Sequence, residues 1–187
     1  MTALLTPARA RGLNALGVLA ISGVLAFAFA DQLLAGHLPC PLCILQRVGF
    51  AGVGVGLALN LRFGPRPGHY AIAMLSAIAG GAISARQMLL HVVPGTGTYG
   101  APLLGLHFYT WGVLLSLLIV VGCAVLLLFE RQFAGAGARV PLTGLGLTAL
   151  LLFGLLTLGN GISTVLECGA GLCADNPSFY QLLGPQR

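Results

Sequence analysis

Apolar positions in this chain come in long unbroken runs separated by short segments rich in charge, proline and glycine. A helix needs about 20 apolar residues to cross a hydrocarbon core of ~30 Å. Five stretches meet that length: Leu13–Leu34, Ile44–Leu61, Tyr70–Val93, Phe108–Phe129 and Val140–Ile162. The pattern predicts an all-α integral membrane protein, a bundle of five transmembrane helices forming one domain over residues 1–187, with 163–187 as a tail. The second run is the shortest and carries Gly49, Gly52, Gly54 and Gly56. Glycines let membrane helices approach closely, although for most of these four the expectation is an ordinary small residue of a membrane helix.

Composition strengthens the membrane reading. Of the 187 residues, 57% are hydrophobic and 7% charged, against about 25% charged in a soluble domain. So few charges cannot build a water-facing surface. The net charge of +5 is the balance of nine basic residues, all arginine, against four acidic ones. They are spread along the chain, which fits membrane topology and not a nucleic-acid-binding patch. Arg9 and Arg11 precede the first run, Arg62 and Arg66 follow the second, and Arg131 and Arg139 follow the fourth. These three segments share a side if the helices alternate, so the positive-inside rule puts the N-terminus in the cytoplasm and the C-terminus outside. Trp111 and Tyr109 then fall at an outer aromatic belt. Arg9 and Arg11 with the small residues Ala28 and Ala30 have some features of a cleavable signal. The run is long for a signal peptide's apolar region of about 7–15 residues, so a retained helix is expected.

That topology gathers two cysteine pairs on one side. Cys40 and Cys43 lie at the outer mouth of the second helix, and Cys168 and Cys173 in the outer tail. Cys123 is alone in the apolar middle of the fourth run, where it reads as a packing residue. An oxidising compartment allows disulfides, so structural staples, a metal site and a redox relay all remain possible. The Cys40–Cys43 gap encloses very little chain and gains little from loop closure, which suits chemistry better than stapling. Pro41 fits the first position of a helix. Both sulfurs would then sit at the positive end of the helix dipole, with Arg47 one turn beyond Cys43 on the same face. Both influences favour the thiolate, the reactive form of cysteine, and Cys43 reads as the more activated sulfur. The alternative for Arg47 is a snorkelling residue that marks the interface.

Further polar residues sit near the same level. Arg86 lies about 10 Å inside the third run at 1.5 Å per residue, a depth at which ionisable groups usually face the bundle interior. Gln87 and His91 share a face. His91 is a candidate contact for the head of a lipid-soluble ligand beside Cys43, or else an interfacial histidine with no chemical role. Asp31 is a possible partner for Arg86 or Arg47. In the tail, Asn176 reads as a helix cap, Pro177 as the first helical residue and Gly184 as the stop. Phe179, Tyr180, Leu182 and Leu183 would lay that short helix on the membrane surface.

The run Cys40-Pro-Leu-Cys43-Ile-Leu-Gln-Arg47 at the mouth of a second membrane helix resembles the disulfide bond formation protein B (DsbB) family. The second outer pair and the segment "GLHFYTWGVLL" are similar to that family as well. The resemblance implies a protein-disulfide oxidoreductase of the bacterial inner (cytoplasmic) membrane. Such an enzyme reoxidises a periplasmic DsbA-like thiol oxidase and passes the electrons to membrane quinone, ubiquinone or menaquinone. By the same resemblance, the partner thiolate attacks the Cys168–Cys173 disulfide, Cys40–Cys43 reoxidises that pair, Cys43 contacts the quinone ring and Arg47 lies near a quinone oxygen. One departure stands out. In the best-known members of the family the second pair lies between spans three and four of a four-helix protein, whereas here it follows a fifth span. Two other readings compete. One is a membrane protein that holds a metal on all four outer cysteines. The other is a structural subunit stapled by disulfides. A protein similar to vitamin K epoxide reductase is a neighbour of the oxidase reading, because it also joins cysteine pairs to quinone in a helical bundle.

Overall fold

The computed structural model describes residues 5–93, 95–97, 102–134, 141–142, 144–169 and 171–184. Arg139, Val140 and Arg187 therefore lie outside the described residues. The fold is all-helical: α1 (Pro7–Leu34), α2 (Pro41–Phe63), α3 (Pro67–Leu90), α4 (Phe108–Leu127) and α5 (Gly144–Cys168), with a 3-10 turn over Glu130–Phe133. All five helices are long and apolar enough to cross a membrane.

Three of the starts share one device. Pro7, Pro41 and Pro67 each stand in the first turn, where the missing N–H leaves no bond unmade. Thr6 caps α1 by accepting from the Arg9 N–H. This start lies before the apolar run, because a cap and a proline open the helix while Arg9 and Arg11 only mark where apolar character begins. At the other end of the chain, α5 continues past Ile162 to Cys168. The polar residues Ser163 and Glu167 made that stretch look like a tail, yet both are buried helix positions.

Helix α3 packs between α2 and α4, and α1 joins α2 to α5. Val18 and Leu25 of α1, Val53 and Leu57 of α2, Tyr70, Ala73 and Ala77 of α3, Cys123 of α4, and Ala149 and Phe153 of α5 form one core. Cys123 is a free, buried packing residue there. Leu75, Leu117, Leu118, Leu151 and Leu155 point outward and exposed, as lipid-facing positions do. The α2 glycines are contact positions, all four of them. A Cβ on Gly49 would stand 2.8 Å from Gly80 Cα, one on Gly52 2.5 Å from Ser76 Oγ, and one on Gly56 2.7 Å from Ala73 N. A Cβ on Gly54 would meet the Phe153 ring. Close backbone approach of α2 to α3 thus depends on Gly49, Gly52 and Gly56, while Gly54 makes room for α5.

At the end of the bundle away from the cysteines, a polar lock ties four elements. Asn14 donates to Tyr70 Oη at 2.8 Å and accepts from Asn60 Nδ2 at 2.9 Å, and Tyr70 donates to Gln132 Oε1 at 2.9 Å. Gln132 in turn donates to the Leu126 carbonyl. In an apolar surrounding such groups are tolerated because each finds a partner.

Candidate functional site

At the opposite end, Cys40 caps α2 by accepting from the Cys43 N–H at 3.1 Å, and the two cysteines are disulfide-bonded. The pair thus sits on the helix N-terminus, whose unpaired N–H groups favour negative charge. Cys40 is buried and Cys43 half-buried. Gln87 of α3 is buried against them, its amide nitrogen 3.3 Å from Cys40 Sγ and 3.6 Å from Cys43 Sγ. That amide is held in turn by Gln46, whose Nε2 donates to Gln87 Oε1 at 2.5 Å. A fixed N–H donor therefore faces both sulfurs.

One turn further along α2, Arg47 reaches across to α1 and α5. Its guanidinium donates to Gln32 Oε1 at 2.6 Å, Asn160 Oδ1 at 3.0 Å and the Ala28 carbonyl at 2.9 Å. Gln32 passes the contact on, donating to Ser163 Oγ at 2.7 Å and to Tyr180 Oη at 3.0 Å. Glu167, buried one residue before Cys168, lies in the field of Arg47, and its carboxylate oxygens have no hydrogen-bond partner among the described residues.

The second pair, Cys168 and Cys173, is also disulfide-bonded and closes the turn that ends α5. Among the described residues no helix follows Asn176. The chain doubles back instead, and the N–H groups of Gln181 and Leu182 bond to the carbonyls of Glu167 and Leu166 at 3.2 and 3.0 Å. The tail thereby satisfies carbonyls that the last turn of a helix leaves open, which a separate surface helix could not do.

Between these groups lies a cleft of about 710 Å³, within the usual range for a small-molecule site. Val24, Phe27, Leu103, Phe108 and Leu115 supply apolar wall. Asp31, His37, Cys43, Gln46, Arg47, Gln87, Tyr109 and Trp111 supply the polar atoms, and Asn176 and Pro177 bring the tail to its rim. His37 Nδ1 stands 3.3 Å from Asp31 Oδ1. The only tryptophan of the chain is anchored by its Nε1 donating to the Leu103 carbonyl at 3.0 Å.

The residues singled out in the sequence fall as follows. Cys40, Cys43 and Arg47 converge, and the tail with Cys168 and Cys173 reaches the same end of the bundle. His91 does not line the cleft; its ring stacks on Tyr109 at 5.4 Å and its Nδ1 bonds to the Gln87 carbonyl at 2.8 Å. Arg86 is exposed on the bundle surface and does not face the interior. Adjacent helix positions are about 100° apart, so only one of Arg86 and Gln87 can face inward, and the neutral amide costs less to bury. Asp31 stands beside His37; among the described residues it makes no ion pair with an arginine, although it lies in the field of Arg47. Tyr109 is buried between His91 and His107. Gln32, Gln46, Asn160 and Glu167 passed unnoticed in the sequence. The available signal was polar residues at helical spacing inside otherwise apolar runs.

Comparison with known proteins covers the first part of the chain. Residues 10–99 match the family model described as disulfide bond formation protein DsbB. A protein named disulfide bond formation protein B from Xanthomonas axonopodis pv. citri is 43% identical over 84 residues, covering 42% of this chain and 49% of its own length. Proteins of the same name from Marinobacter nauticus and Azoarcus sp. are 40% identical over 80 residues and 38% over 77, covering 41% and 39% of this chain and 48% and 46% of their own. The chain thus matches about half the length of these relatives, and α4, α5 and the tail lie beyond the matched family segment. No solved structure is similar at a significant level. Through α1, α2, α3 and the cysteine pair that opens α2, the chain is similar to the disulfide bond formation protein DsbB family.

Proposed function

We propose that the protein is a quinone-dependent thiol oxidase of the bacterial inner membrane, with both cysteine pairs on the periplasmic side. It reoxidises a DsbA-like dithiol oxidase. The observation that carries this reading is the cleft, in which a disulfide on a helix N-terminus opens into an apolar hollow beside a fixed guanidinium, with the second disulfide's tail at the rim. The residues present fit a quinone head group. Apolar walls accept the ring, and Arg47 and Gln87 offer donors to carbonyl oxygens. When bound there, a quinone takes up two electrons and two protons and leaves as quinol.

The residues of the chain then act in order. Cys173, half-buried where Cys168 is buried, receives the partner thiolate; the Cys168–Cys173 bond breaks and Cys168 leaves as thiolate. The partner's second thiolate resolves the mixed disulfide, so the partner departs oxidised and the tail pair holds two electrons. The reduced tail pair attacks Cys40, and Cys43 is released as the thiolate that lines the cleft. The second tail thiolate attacks the tail sulfur of that mixed disulfide, which restores the tail disulfide and releases Cys40 as thiolate, and Cys40 with Cys43 delivers two electrons inward and closes again. Each transfer is thiol–disulfide exchange. Arg47 and the helix terminus hold the negative charge at Cys43, and Gln87 donates to its sulfur.

Two disulfides favour this relay over a site with four thiolate ligands, which requires every sulfur reduced. Anaerobic mixing of the purified protein with quinone and a reduced DsbA-like protein tests it by quinone absorbance. Wild type should bleach the quinone, and Cys43→Ser and Cys168→Ser should not. Wild-type speed in Cys168→Ser with the protein substrate would remove the tail pair from the path.

A further inference from the structure

The proposed oxidation releases protons at the thiols and consumes protons at the electron acceptor, so the cleft needs a group that takes a proton from water and hands it inward. The lining side chains can be sorted by that test. Arg47 does not give up its proton in proteins, and the amides of Gln46 and Gln87 and the indole of Trp111 do not cycle one. Tyr109 is a phenol, which keeps its proton at neutral pH. Cys43 is the electron donor itself. That leaves Asp31 and His37, which stand 3.3 Å apart with side chains 26% and 51% exposed. Both line the cleft while reaching water. Imidazole is the side chain that takes and gives a proton near neutral pH, and a carboxylate on one ring nitrogen fixes which nitrogen is left free. With Asp31 on Nδ1, the free nitrogen of His37 is Nε2.

We propose that the His37–Asp31 pair is the proton entry of the cleft. His37 Nε2 transfers a proton to an oxygen of the quinone-class acceptor, and the imidazole is reprotonated from outer water. Asp31 holds the tautomer and stabilises the imidazolium that forms between transfers. Two such transfers accompany the two electrons that leave Cys40 and Cys43 as they close to a disulfide, so atoms and charge balance with the two protons shed by the thiols. The remaining charged and titratable groups around the pair are fixed in other roles: Arg47 is bonded to α1 and α5, Glu167 lies beyond it on α5, and Tyr109 is stacked between two histidines. Neither His37 nor Asp31 belongs to the cysteine motif, and His37 lies in the short link between α1 and α2.

This inference rests on the proposed quinone cleft, and the test separates the two. Trp111, the only tryptophan, lines the cleft, so its fluorescence reports occupancy by a short-chain ubiquinone analogue in the full-length protein. Carbethoxylation of histidines by diethylpyrocarbonate, mapped by mass spectrometry, reports access to His37. Saturating analogue should quench Trp111 and slow modification of His37 several-fold, while His69 at the far end reacts as before. In turnover with a reduced dithiol partner, His37→Ala should lose about a hundredfold, the lower end of what a positioned proton donor contributes. Added imidazole should restore part of that rate, and saturating analogue should still quench Trp111. Quenching without shielding of His37 overturns the proton-entry role, as does His37→Ala turnover at the wild-type rate or a loss that imidazole does not repair. Absence of quenching overturns the cleft assignment itself.

Discussion

Replacing Gln87 by leucine tests how the protein sets the driving force of its inner disulfide. The Gln87 amide N–H₂ faces Cys40 Sγ at 3.3 Å and Cys43 Sγ at 3.6 Å, held by Gln46. A disulfide sulfur is a weak acceptor, whereas a thiolate is a strong one, so this donor stabilises the reduced pair more than the oxidised one. A hydrogen bond to a charged group contributes about 1.5–3 kcal/mol, and the neutral-state bond offsets part of that. A net loss of about 1.4 kcal/mol from the reduced form corresponds to about 30 mV for a two-electron couple. The sign follows: Gln87→Leu makes the reduced pair less stable, so the potential of Cys40–Cys43 becomes about 30 mV more negative and the pair a weaker oxidant. The assay is equilibration of the Cys168→Ser/Cys173→Ser protein, which keeps one couple, against graded thiol–disulfide buffers. The fraction oxidised is read by maleimide mass shift. Leucine nearly matches glutamine in size, and the helical content of both proteins should agree. A potential unchanged to within about 10 mV, under half the expected shift, or shifted in the positive direction, would refute the role given to this amide.

Three further outcomes are expected. Gly56→Val places carbon where a Cβ already stands 2.7 Å from both Ala73 N and His69 O, so it should destabilise the bundle by about 1–3 kcal/mol, read as a lower midpoint of detergent-induced unfolding; an equal midpoint would mean that α2 and α3 do not cross so closely. Tyr180→Phe removes one acceptor from Gln32 Nε2, which keeps Ser163, a loss of about 0.5–1.5 kcal/mol. Limited proteolysis should therefore cut the tail faster in Tyr180→Phe, and faster again with Ser163→Ala added; equal cutting in all three proteins would show that the tail is not held through Gln32. A DsbA-like partner that keeps only its nucleophilic cysteine should be trapped on Cys173, the less buried tail sulfur, as located by peptide mass mapping, and a trap on Cys168 would reverse that assignment.

The number and kind of helices were legible because hydrocarbon demands long apolar runs, and five such runs are present. Their ends were less legible, since polarity alone does not separate a residue facing water from one facing a neighbouring helix. Ser163 and Glu167 are polar, yet they lie in α5 on its buried side. The Cys40–Arg47 motif was readable because its spacing is local and one helix turn sets its geometry. The partners of that motif were not readable, because they come from three other helices, Gln32 from α1, Gln87 from α3 and Asn160 from α5, and Gln32 is held in turn by Tyr180 of the tail. Position along one helix says which face a residue is on. Which face is the inner one is decided by packing, and that choice put Gln87 inside and Arg86 outside.

The fifth helix is part of the site. Arg47 is the one arginine lining the cleft among the described residues, and a guanidinium there is tolerable only with its donors satisfied. Two of its three acceptors, Gln32 Oε1 and the Ala28 carbonyl, are on α1, and the third, Asn160 Oδ1, is on α5. The same Gln32 is fixed by Ser163 of α5 and by Tyr180, which the returning tail carries back. Removing α5 would therefore leave the guanidinium short of an acceptor and the Gln32 amide without its two hydroxyl partners. The helix that carries the outer disulfide also fixes the cation beside the inner one. A second cysteine pair at the end of this helix can thus be near the cleft without a long loop to deliver it, because the α1–α5 packing that seats Arg47 also sets where Cys168 stands.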